Sequence, residues 1–366
     1  SGTGKVITAI GAGEATANAL AVQPDGKVLV AGSCSNGNDV DLCIARYNTN
    51  GVLDASFGNG GKVLTNVADN GDNAYAIAVQ PDGKIVVAGS CLIIITNSCL
   101  ARYSANGVLD ITFGTDGIAA PFITLYGNVA NALAIQPDGK LVIVAQCYHG
   151  GTGLDFCLAR FSANGELDPT FGSAGLVFTD ISIYDDIPRA LVVQPDGKIL
   201  VAGSCSDTFC LARYNANGVL DATFGSSGTV IVFSGGTNIG RALALLHDGR
   251  IVIAGECFFG GWDFCLSRLS ANGALDTSFG SSGRVVTPIG SNSDIARALA
   301  PQPDGKLVVA GYCWNGTKND VCLARYNANG SLDTSFNTTG KLISPIGAND
   351  SVATAVALQP DGKIVV

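Results

Sequence analysis

A turn centred on a glycine recurs seven times along the chain, at intervals of 52 to 58 residues. Each turn separates two runs of small and branched apolar residues, as the turn of a β-hairpin does. Six copies read Gln-Pro-Asp-Gly-Lys and the fifth in chain order reads Leu-His-Asp-Gly-Arg; their glycines are Gly26, Gly83, Gly139, Gly197, Gly249, Gly305 and Gly362. Because all-β units with a period near 50 residues are typical of propellers and solenoids, the repeat predicts an all-β fold of equivalent units.

Each repeat has room for four antiparallel strands. In the first repeat the predicted strands are 19–23, 27–33, 43–47 and 52–57, with a Pro-Asp-Gly turn and an Asn-Gly turn between them. This pattern predicts a seven-bladed β-propeller of four-stranded antiparallel blades, six complete and the seventh partial, with a six-bladed ring as the alternative. The predicted blades are 15–62, 72–118, 128–176, 186–229, 238–284, 294–341 and the partial blade 351–366, which residues 1–10 adjoin.

The repeats predict one domain, because no linker-like change in composition interrupts residues 1–366. The last repeat stops after its second strand, and the part that it lacks corresponds to residues 310–336 of the sixth repeat. Two explanations are open. Sequence outside these residues completes the seventh blade, or a neighbouring molecule donates the missing strands by β-augmentation.

The charge of the chain bears on its partners. The formal net charge is -9, and no stretch is rich in Lys or Arg. This pattern argues against nucleic acid and against an anionic membrane surface as partners. No apolar run approaches the roughly 18 residues of a membrane-spanning helix, so membrane insertion is not expected.

Twelve cysteines form one pair in each complete repeat: Cys34 with Cys43, Cys91 with Cys99, Cys147 with Cys157, Cys205 with Cys210, Cys257 with Cys265, and Cys313 with Cys322. The first member ends one predicted strand and the second begins the next, so antiparallel pairing places them face to face within disulfide distance. A metal site has less support, since the chain has only two histidines and no Cys-x-x-Cys motif. Six disulfides predict an oxidising location, extracellular or at the cell surface.

An arginine and an aspartate recur at a fixed spacing in each complete repeat. A hairpin closed at Gly51 places Arg46 directly across from Asp54. Six copies predict salt bridges that order each blade rather than catalytic charges. The other pairs are Arg102/Asp110, Arg160/Asp168, Arg213/Asp221, Arg268/Asp276 and Arg325/Asp333. The phenylalanines that follow, such as Phe57 and Phe113, are predicted to pack between blades.

The motifs together resemble those of a known family. The stretches ALAVQPDGK at 19–27, VLVAG at 28–32, CLARYNANG at 210–218 and the pattern LDxSFGxxGKV resemble the bacterial delta-60 repeat. Their strand pattern is similar to that of NHL-type β-propellers. The resemblance covers essentially the whole chain and implies a propeller of secreted or cell-surface proteins, without implying a reaction. The paired cysteines are an addition to the usual delta-60 pattern.

The loops between the second and third strands differ strongly, whereas the Pro-Asp-Gly and Asn-Gly turns barely vary. These loops lie at the end of each blade opposite to the turns, and we call that end the variable face. Its apolar and aromatic residues are Leu92, Ile93, Ile94, Ile95, Tyr148, Phe258, Phe259, Trp262 and Trp314. Such side chains favour a protein partner or self-assembly, with a glycan as a further ligand, unless they only cover blade edges.

A second variable position lies near the start of the first strand, and three consecutive repeats have arginine there: Arg189, Arg241 and Arg297. Because the first strands of a propeller lie nearest its axis, these residues predict an anion site, unless Asp185, Asp186 and Asp294 neutralise them. A calcium site at 36–41 has little support, because the loop lacks a full D-x-D-x-D-G pattern. No other cofactor is expected.

The sequence therefore predicts a non-catalytic structural or interaction module that acts in surface assembly, adhesion or a filament. A hydrolase or lyase with its site at the central channel is the enzymatic alternative, and a lectin-like glycan-binding propeller is the other. Catalysis has little support, since neither His149 nor His247 has an evident partner for acid–base chemistry.

Overall fold

The computed structural model describes residues 4–68, 71–92, 95–124, 127–149, 153–232 and 236–366. The chain divides into two compact units. The first consists of Ser1–Asp180 with Ala216–Val219, and the second of Ile181–Asn215 with Leu220–Val366.

The first unit contains three four-stranded antiparallel sheets. Its strands are β1 (Ala15–Val22), β2 (Val28–Ser35), β3 (Val40–Tyr47), β4 (Lys62–Thr65), β5 (Asp72–Val79), β6 (Ile85–Leu92), β7 (Thr96–Tyr103), β8 (Ile118–Ala119), β9 (Asn128–Ile135), β10 (Leu141–Tyr148), β11 (Leu154–Phe161) and β12 (Leu176–Thr179). The sheets are β1-β2-β3-β4, β5-β6-β7-β8 and β9-β10-β11-β12, so neighbours in each sheet are neighbours in sequence.

The second unit contains three further sheets of the same kind and a two-stranded one. Its strands are β13 (Asp186–Val193), β14 (Ile199–Cys205), β15 (Thr208–Tyr214), β16 (Thr229–Ile231), β17 (Asn238–Leu245), β18 (Ile251–Phe258), β19 (Trp262–Leu269), β20 (Arg284–Thr287), β21 (Asp294–Pro301), β22 (Leu307–Trp314), β23 (Asn319–Tyr326), β24 (Lys341–Ser344), β25 (Ala357–Leu358) and β26 (Ile364–Val365). The sheets are β13-β14-β15-β16, β17-β18-β19-β20, β21-β22-β23-β24 and β25-β26.

The fold is an all-β propeller with six four-stranded antiparallel blades, and a seventh sheet that has only two short strands. This architecture confirms the predicted fold class and also supports its six-bladed alternative. We number the blades one to six in chain order.

The fourth strand of each blade differs from its prediction. The prediction of a strand at 52–57 is wrong: Leu53 makes one isolated bridge with Tyr47, and the chain then turns, because the Phe57 amide donates to the Asp54 carbonyl. The fourth strand is β4, which pairs with β3 from Ala45↔Lys62 onward. β4 ends at Thr65 and therefore extends past residue 62, the predicted end of blade one.

The second and third strands of the blades are buried along most of their length, as β6 and β14 show. Strands that are covered on both faces need near-continuous apolar runs rather than alternation. Adjacent blades share their cores: Leu29 and Ile44 of blade one pack in the same buried cluster as Val87 of blade two. The apolar character of these runs thus follows from packing blade against blade.

An arginine-centred network repeats in the blades, and its first copy is built on Arg46. Its Nε donates to Asp54 Oδ2 at 2.9 Å and its Nη2 to Ser56 Oγ at 3.2 Å. Its Nη1 donates to the carbonyl of Ala105 in blade two at 2.6 Å, and its guanidinium lies 4.6 Å from the centroid of the Phe57 ring. The predicted salt bridge is confirmed, and the same arginine also ties one blade to the next.

The phenylalanine of this network is an inter-blade contact, as predicted. Phe57 is fully buried, and an added Cβ on Gly107 of the next blade would lie 2.8 Å from its ring. The Gly58 amide donates to the carbonyl of Asn106 in the same Asn-Gly turn at 2.8 Å. In each blade we call one group of residues the turn socket. It consists of the arginine, the aspartate, the hydroxyl side chain, the phenylalanine and the backbone amide that follows the phenylalanine.

Six disulfides confirm the predicted cysteine pairs, with Cα–Cα separations from 5.8 to 6.0 Å. The bridges join Cys34 with Cys43, Cys91 with Cys99, Cys147 with Cys157, Cys205 with Cys210, Cys257 with Cys265, and Cys313 with Cys322. Among the described residues no cysteine is free.

The predicted position of the second cysteine at the start of the third strand is wrong. The third strands begin two or three residues earlier, because their ladder with the second strand continues into residues that the sequence analysis assigned to the loop. In blade two, for example, Thr96 already pairs with Leu92. The cysteines that lie inside a third strand are Cys43, Cys99, Cys157, Cys210, Cys265 and Cys322.

The predicted face-to-face register of the cysteines is also wrong. In blade one Cys43 pairs with Gly32, and Cys34 pairs with Asp41. The disulfide therefore joins two cysteines that are offset by two positions along the ladder. The same offset sets Cys99 opposite Gly89, Cys265 opposite Gly255 and Cys322 opposite Gly311. The ladder between the second and third strands sets this register, because the offset is the same whether the residue across from the second cysteine is a glycine, as in five blades, or Ala145, as in blade three.

The disulfides bear on where the protein folds. Six such bridges are typical of proteins that fold outside the cytoplasm. Among the described residues, no helix is long and apolar enough to cross a membrane.

Candidate functional site

The variable face exposes part of its predicted aromatic set. Tyr148 is 51% exposed, Phe258 46% and Phe259 60%. Leu92, Ile95, Trp262 and Trp314 are half-buried. Ile93 and Ile94 lie outside the described residues, so the predicted apolar loop tip stays a prediction.

Two exposed aromatics of the second unit, Phe258 and Phe259, lie in the loop of blade five. The Phe258 and Trp262 rings meet edge to face, with centroids 5.4 Å apart, at the ends of the paired strands β18 and β19. Trp262 also forms a parallel bridge with Ser293, whose carbonyl accepts from the Trp314 amide at 2.9 Å. The half-buried tryptophans are thus built into the connection between blades five and six, and the phenylalanines remain exposed.

A β-bulge occurs in the first strand of every four-stranded blade. The residue at each bulge is left out of the ladder between the first and second strands: Asn18, Tyr75, Asn131, Arg189, Arg241 and Arg297. A bulge bends its strand and re-aims the side chain of the extra residue. The second variable position of the sequence is therefore the position that the bulge releases from pairing.

The three arginines occupy successive bulges of the second unit, on first strands that neighbour one another, β13 beside β17 and β17 beside β21. Glu256 of β18 is 1% exposed and accepts from Arg241: Nε lies 2.8 Å from Oε1 and 2.7 Å from Oε2. The Nε atoms of Arg189 and Arg297 are buried and have no hydrogen-bond partner among the described atoms. We call Arg189, Arg241, Arg297 and Glu256 the arginine cluster.

The electrostatics of the arginine cluster show that its charges interact. Burial, followed by the like charge of Arg241, lowers the pKa of Arg189 to about 10. Burial raises the pKa of Glu256, although Arg241 beside it acts in the opposite direction. Because three guanidinium groups face one carboxylate, the cluster keeps an excess of positive charge at neutral pH.

Two of the three acids predicted to neutralise the arginines make contacts with backbone amides. Asp294 accepts from the amides of Ile289 and Gly290, at 2.5 and 2.9 Å, and Asp186 accepts from the Ile181 amide at 2.6 Å. Glu256, which the sequence analysis missed, takes the partner role. Its signal was present, since blade five alone has an acidic residue between the second-strand Gly and the Cys.

The remaining predicted groups make contacts within their own blades. In the 36–41 loop, the Asn36 amide nitrogen donates to the carboxylates of both Asp39 and Asp41, so the calcium site stays a prediction. The His149 ring stacks on the Phe178 ring, with centroids 4.1 Å apart. His247 lies in a turn that is closed by the hydrogen bond from the Gly249 amide to the Leu246 carbonyl.

Three solved structures illustrate what the chain resembles in fold. A Lactobacillus plantarum protein is 16% identical, covers 91% of this chain and 88% of its own, and has a TM-score of 0.52. Chaetomium thermophilum Sqt1 is 12% identical, with coverages of 94% and 76% and a TM-score of 0.52. A putative oxidoreductase (glucose dehydrogenase) of Thermus thermophilus is 17% identical, with coverages of 80% and 90% and a TM-score of 0.44. At these identities the likeness to the first two proteins concerns the fold alone.

Among curated proteins no sequence matches the chain. A family model described as a domain of unknown function (DUF5122) beta-propeller matches residues 23–57, 80–113, 136–171, 194–224, 247–279 and 302–336. Each match runs from a Pro-Asp-Gly-type turn to the phenylalanine of the turn socket. Because the six segments cover more than half of the chain, the protein belongs to the DUF5122 beta-propeller family.

Proposed function

We propose that the chain is a non-catalytic extracellular module that binds a protein partner, or further copies of itself, through its variable face. The observation that carries this proposal is the exposure of Phe258 and Phe259 beside Trp262. Aromatic side chains that are exposed together are typical of the core of protein interfaces. The resemblance to delta-60 repeats of secreted and cell-surface proteins, together with the disulfides, supports the extracellular location.

The constancy of the opposite end of the blades supports the same choice of face. The Asn-Gly turns there are needed for packing, since they fill the turn sockets of neighbouring blades. The loops of the variable face differ in length and sequence, so they are not held to one shared conformation. Surface adhesion and filament formation are the roles that fit a partner-binding face of this kind.

Sedimentation velocity at several concentrations tests the proposal. We expect the wild-type chain to associate with rising concentration, and Phe258→Ser with Phe259→Ser to return it to monomer with an unchanged circular dichroism spectrum. Val219→Ser is the matched control, because Val219 is 57% exposed beside an Asn-Gly turn at the opposite end. Association that survives the aromatic substitutions would count against the variable face. A monomer whose glycan-array signal disappears with Trp262→Ser would instead favour the lectin-like alternative.

The arginine cluster favours a second candidate function, the binding of an anionic group such as a sulfate or carboxylate. Arg241 is paired with Glu256, whereas the buried Nε atoms of Arg189 and Arg297 have no partner among the described atoms. Guanidinium groups are suited to bind oxyanions with paired hydrogen bonds. An anion would therefore offset the excess positive charge.

Calorimetric titration with sulfate and with a sulfated oligosaccharide tests the arginine cluster. We expect Arg189→Gln to weaken binding about tenfold or more, the loss of roughly one charge-assisted hydrogen bond. Glu256→Gln should strengthen binding, because it releases Arg241. Arg250→Gln is the control, since Arg250 pairs with Asp248 in a turn. Binding that is unaffected by Arg189→Gln and Glu256→Gln would show that the cluster is structural.

A further inference from the structure

Two buried aspartates lie where blade one packs against blade two. Asp41 of β3 is 4% exposed and lies across from Cys34 in its ladder. Asp72 of β5 is fully buried and lies across from Cys91. The strands β3 and β5 are neighbours. We call Asp41 and Asp72, together with Asp39 just before β3, the acidic junction.

Hydrogen bonds satisfy only one oxygen of each buried carboxylate. Asp72 Oδ2 accepts from the amides of Val67 and Ala68, at 2.6 and 3.1 Å. Asp41 Oδ2 accepts from the Asn36 side chain at 2.9 Å. Asp41 Oδ1 and Asp72 Oδ1 are buried and have no hydrogen-bond partner among the described atoms. Because ionised carboxylates are acceptors only, they cannot satisfy each other, and burial without a partner is costly.

The charges around Asp72 have the same sign. Burial raises the pKa of Asp72, two backbone hydrogen bonds lower it, and the charges of Asp41 and Asp39 raise it further. Asp39 stays beside Asp41, because the Asn36 amide nitrogen donates to both carboxylates. The charged groups that act on Asp72 are thus both acids, and a cation or a proton is what such a site favours.

Blades five and six contain the same pair of acids with a lysine added. Asp263 of β19 and Asp294 of β21 occupy the positions of the two aspartates in their ladders. Burial raises the pKa of both carboxyls, and the charge of Lys341 in β24 acts in the opposite direction. In blade two the residue at the position of Lys341 is Ile118, since each lies across from the alanine that precedes the arginine of its blade. The acidic junction therefore lacks the cation that its counterpart has.

Blades two and three contain an uncharged version of the pair. Asn97 and Asn128 take the positions of Asp41 and Asp72 in the ladders, and both are buried. Their atoms without a hydrogen-bond partner are one acceptor, Asn97 Oδ1, and one donor, Asn128 Nδ2. Two amides carry no net charge and offer both a donor and an acceptor, so this position needs no cation.

We propose that the acidic junction binds a calcium ion between blades one and two, with Asp41 Oδ1 and Asp72 Oδ1 as central ligands and Asp39 as a further one. Carboxylate oxygens suit hard cations. Calcium accepts several carboxylates at once, whereas magnesium usually keeps most of its waters. The ion joins two blades, unlike a site within the 36–41 loop alone. This proposal does not rest on the partner contact proposed above.

Calorimetric titration of the chelator-treated, 366-residue chain with calcium chloride tests the proposal. We expect Asp72→Asn to weaken calcium binding tenfold or more, because it removes a charged ligand. Ile118→Lys, which places a lysine at the position of Lys341, should also weaken binding although every ligand is kept. Asp82→Asn is the control, since Asp82 is exposed in a turn beside Lys84.

A second measurement uses a variant that the chain itself suggests. Asp41→Asn with Asp72→Asn reproduces the uncharged pair of blades two and three, so the variant should fold without calcium. The midpoint of thermal unfolding of the wild type should rise by about 3 °C when calcium is roughly a hundredfold above its dissociation constant. The midpoint of the double variant should not respond.

Three outcomes would overturn the proposal. The first is equal calcium affinity of the wild type and Asp72→Asn, and the second is a double variant that calcium still stabilises. The third is a wild type that gains stability on mild acidification and none from calcium, which would show that the two carboxylates share a proton instead. Magnesium that binds more tightly than calcium would overturn the choice of ion.

Discussion

Reduction of the six disulfides should unfold the chain. The bridges close loops of 5 to 10 residues, and each contributes about 2–3 kcal/mol in the chain-entropy model. Together they approach or exceed the ~5–15 kcal/mol by which domains are usually stable. Tryptophan fluorescence and circular dichroism of the oxidised and the reduced, alkylated chain provide the measurement. Because the cysteines are buried, reduction should be slow until a low concentration of urea opens the blades.

Pairwise substitutions make this prediction quantitative. Cys205→Ala with Cys210→Ala opens the shortest loop, so it should cost about 0.5 kcal/mol less than Cys147→Ala with Cys157→Ala. Non-reducing peptide mapping should recover the six pairs within repeats. A reduced chain that keeps the oxidised spectrum, or a disulfide between different blades, would contradict the structure.

Replacing Arg213 with methionine should lower the free energy of unfolding by about 3–5 kcal/mol, as expected when one partner of a buried ion pair is removed. Arg213 donates to Asp221 at 2.8 Å, to the carbonyl of Ala271 at 2.5 Å in the next blade, and lies over Phe224. The substitution leaves the Asp221 carboxylate half-paired and the carbonyl unsatisfied. Urea unfolding, followed by circular dichroism, gives the change.

Arg325→Met is the matched control, because Arg325 makes the same contacts within its blade but none to a following turn among the described residues. Its cost should be clearly smaller, and the difference measures the contact between blades. In a double-mutant cycle, Asp221→Leu added to Arg213→Met should recover part of the loss. Equal costs at Arg213 and Arg325 would mean that the inter-blade hydrogen bond contributes nothing.

The sequence predicts much of each blade, because its main features are local. The Pro-Asp-Gly turns, the cysteine pairs and the Arg46–Asp54 type of pair all join residues within about ten positions. Turn chemistry and strand alternation determine such contacts with little help from the rest of the chain. The fourth strand was misassigned because residues 52–57 alternate like a strand, although the chain turns after its single bridge at Leu53.

The site was less predictable. The sequence shows the three arginines as departures from the repeat. It does not show that they lie at β-bulges, or that Glu256 pairs with Arg241. A bulge depends on how two strands pair, and the sequence of one strand does not display it. Phe258 and Phe259 are exposed, whereas Trp262 is partly buried. This difference likewise depends on a contact outside the loop, the bridge between Trp262 and Ser293.

By itself, the sequence determined the number of repeats, the β-hairpins, the disulfide partners and the membership of each Arg–Asp pair, because all of these rest on short separations along the chain. Only the tertiary structure decided which arginine pairs with a buried carboxylate. Arg189, Arg241 and Arg297 stand at equivalent bulges, yet Glu256 accepts from Arg241, while the Nε atoms of Arg189 and Arg297 have no hydrogen-bond partner among the described atoms. The physical reason is that a bulge re-aims the side chain of its extra residue, and a bulge depends on how two strands pair rather than on the sequence of either strand.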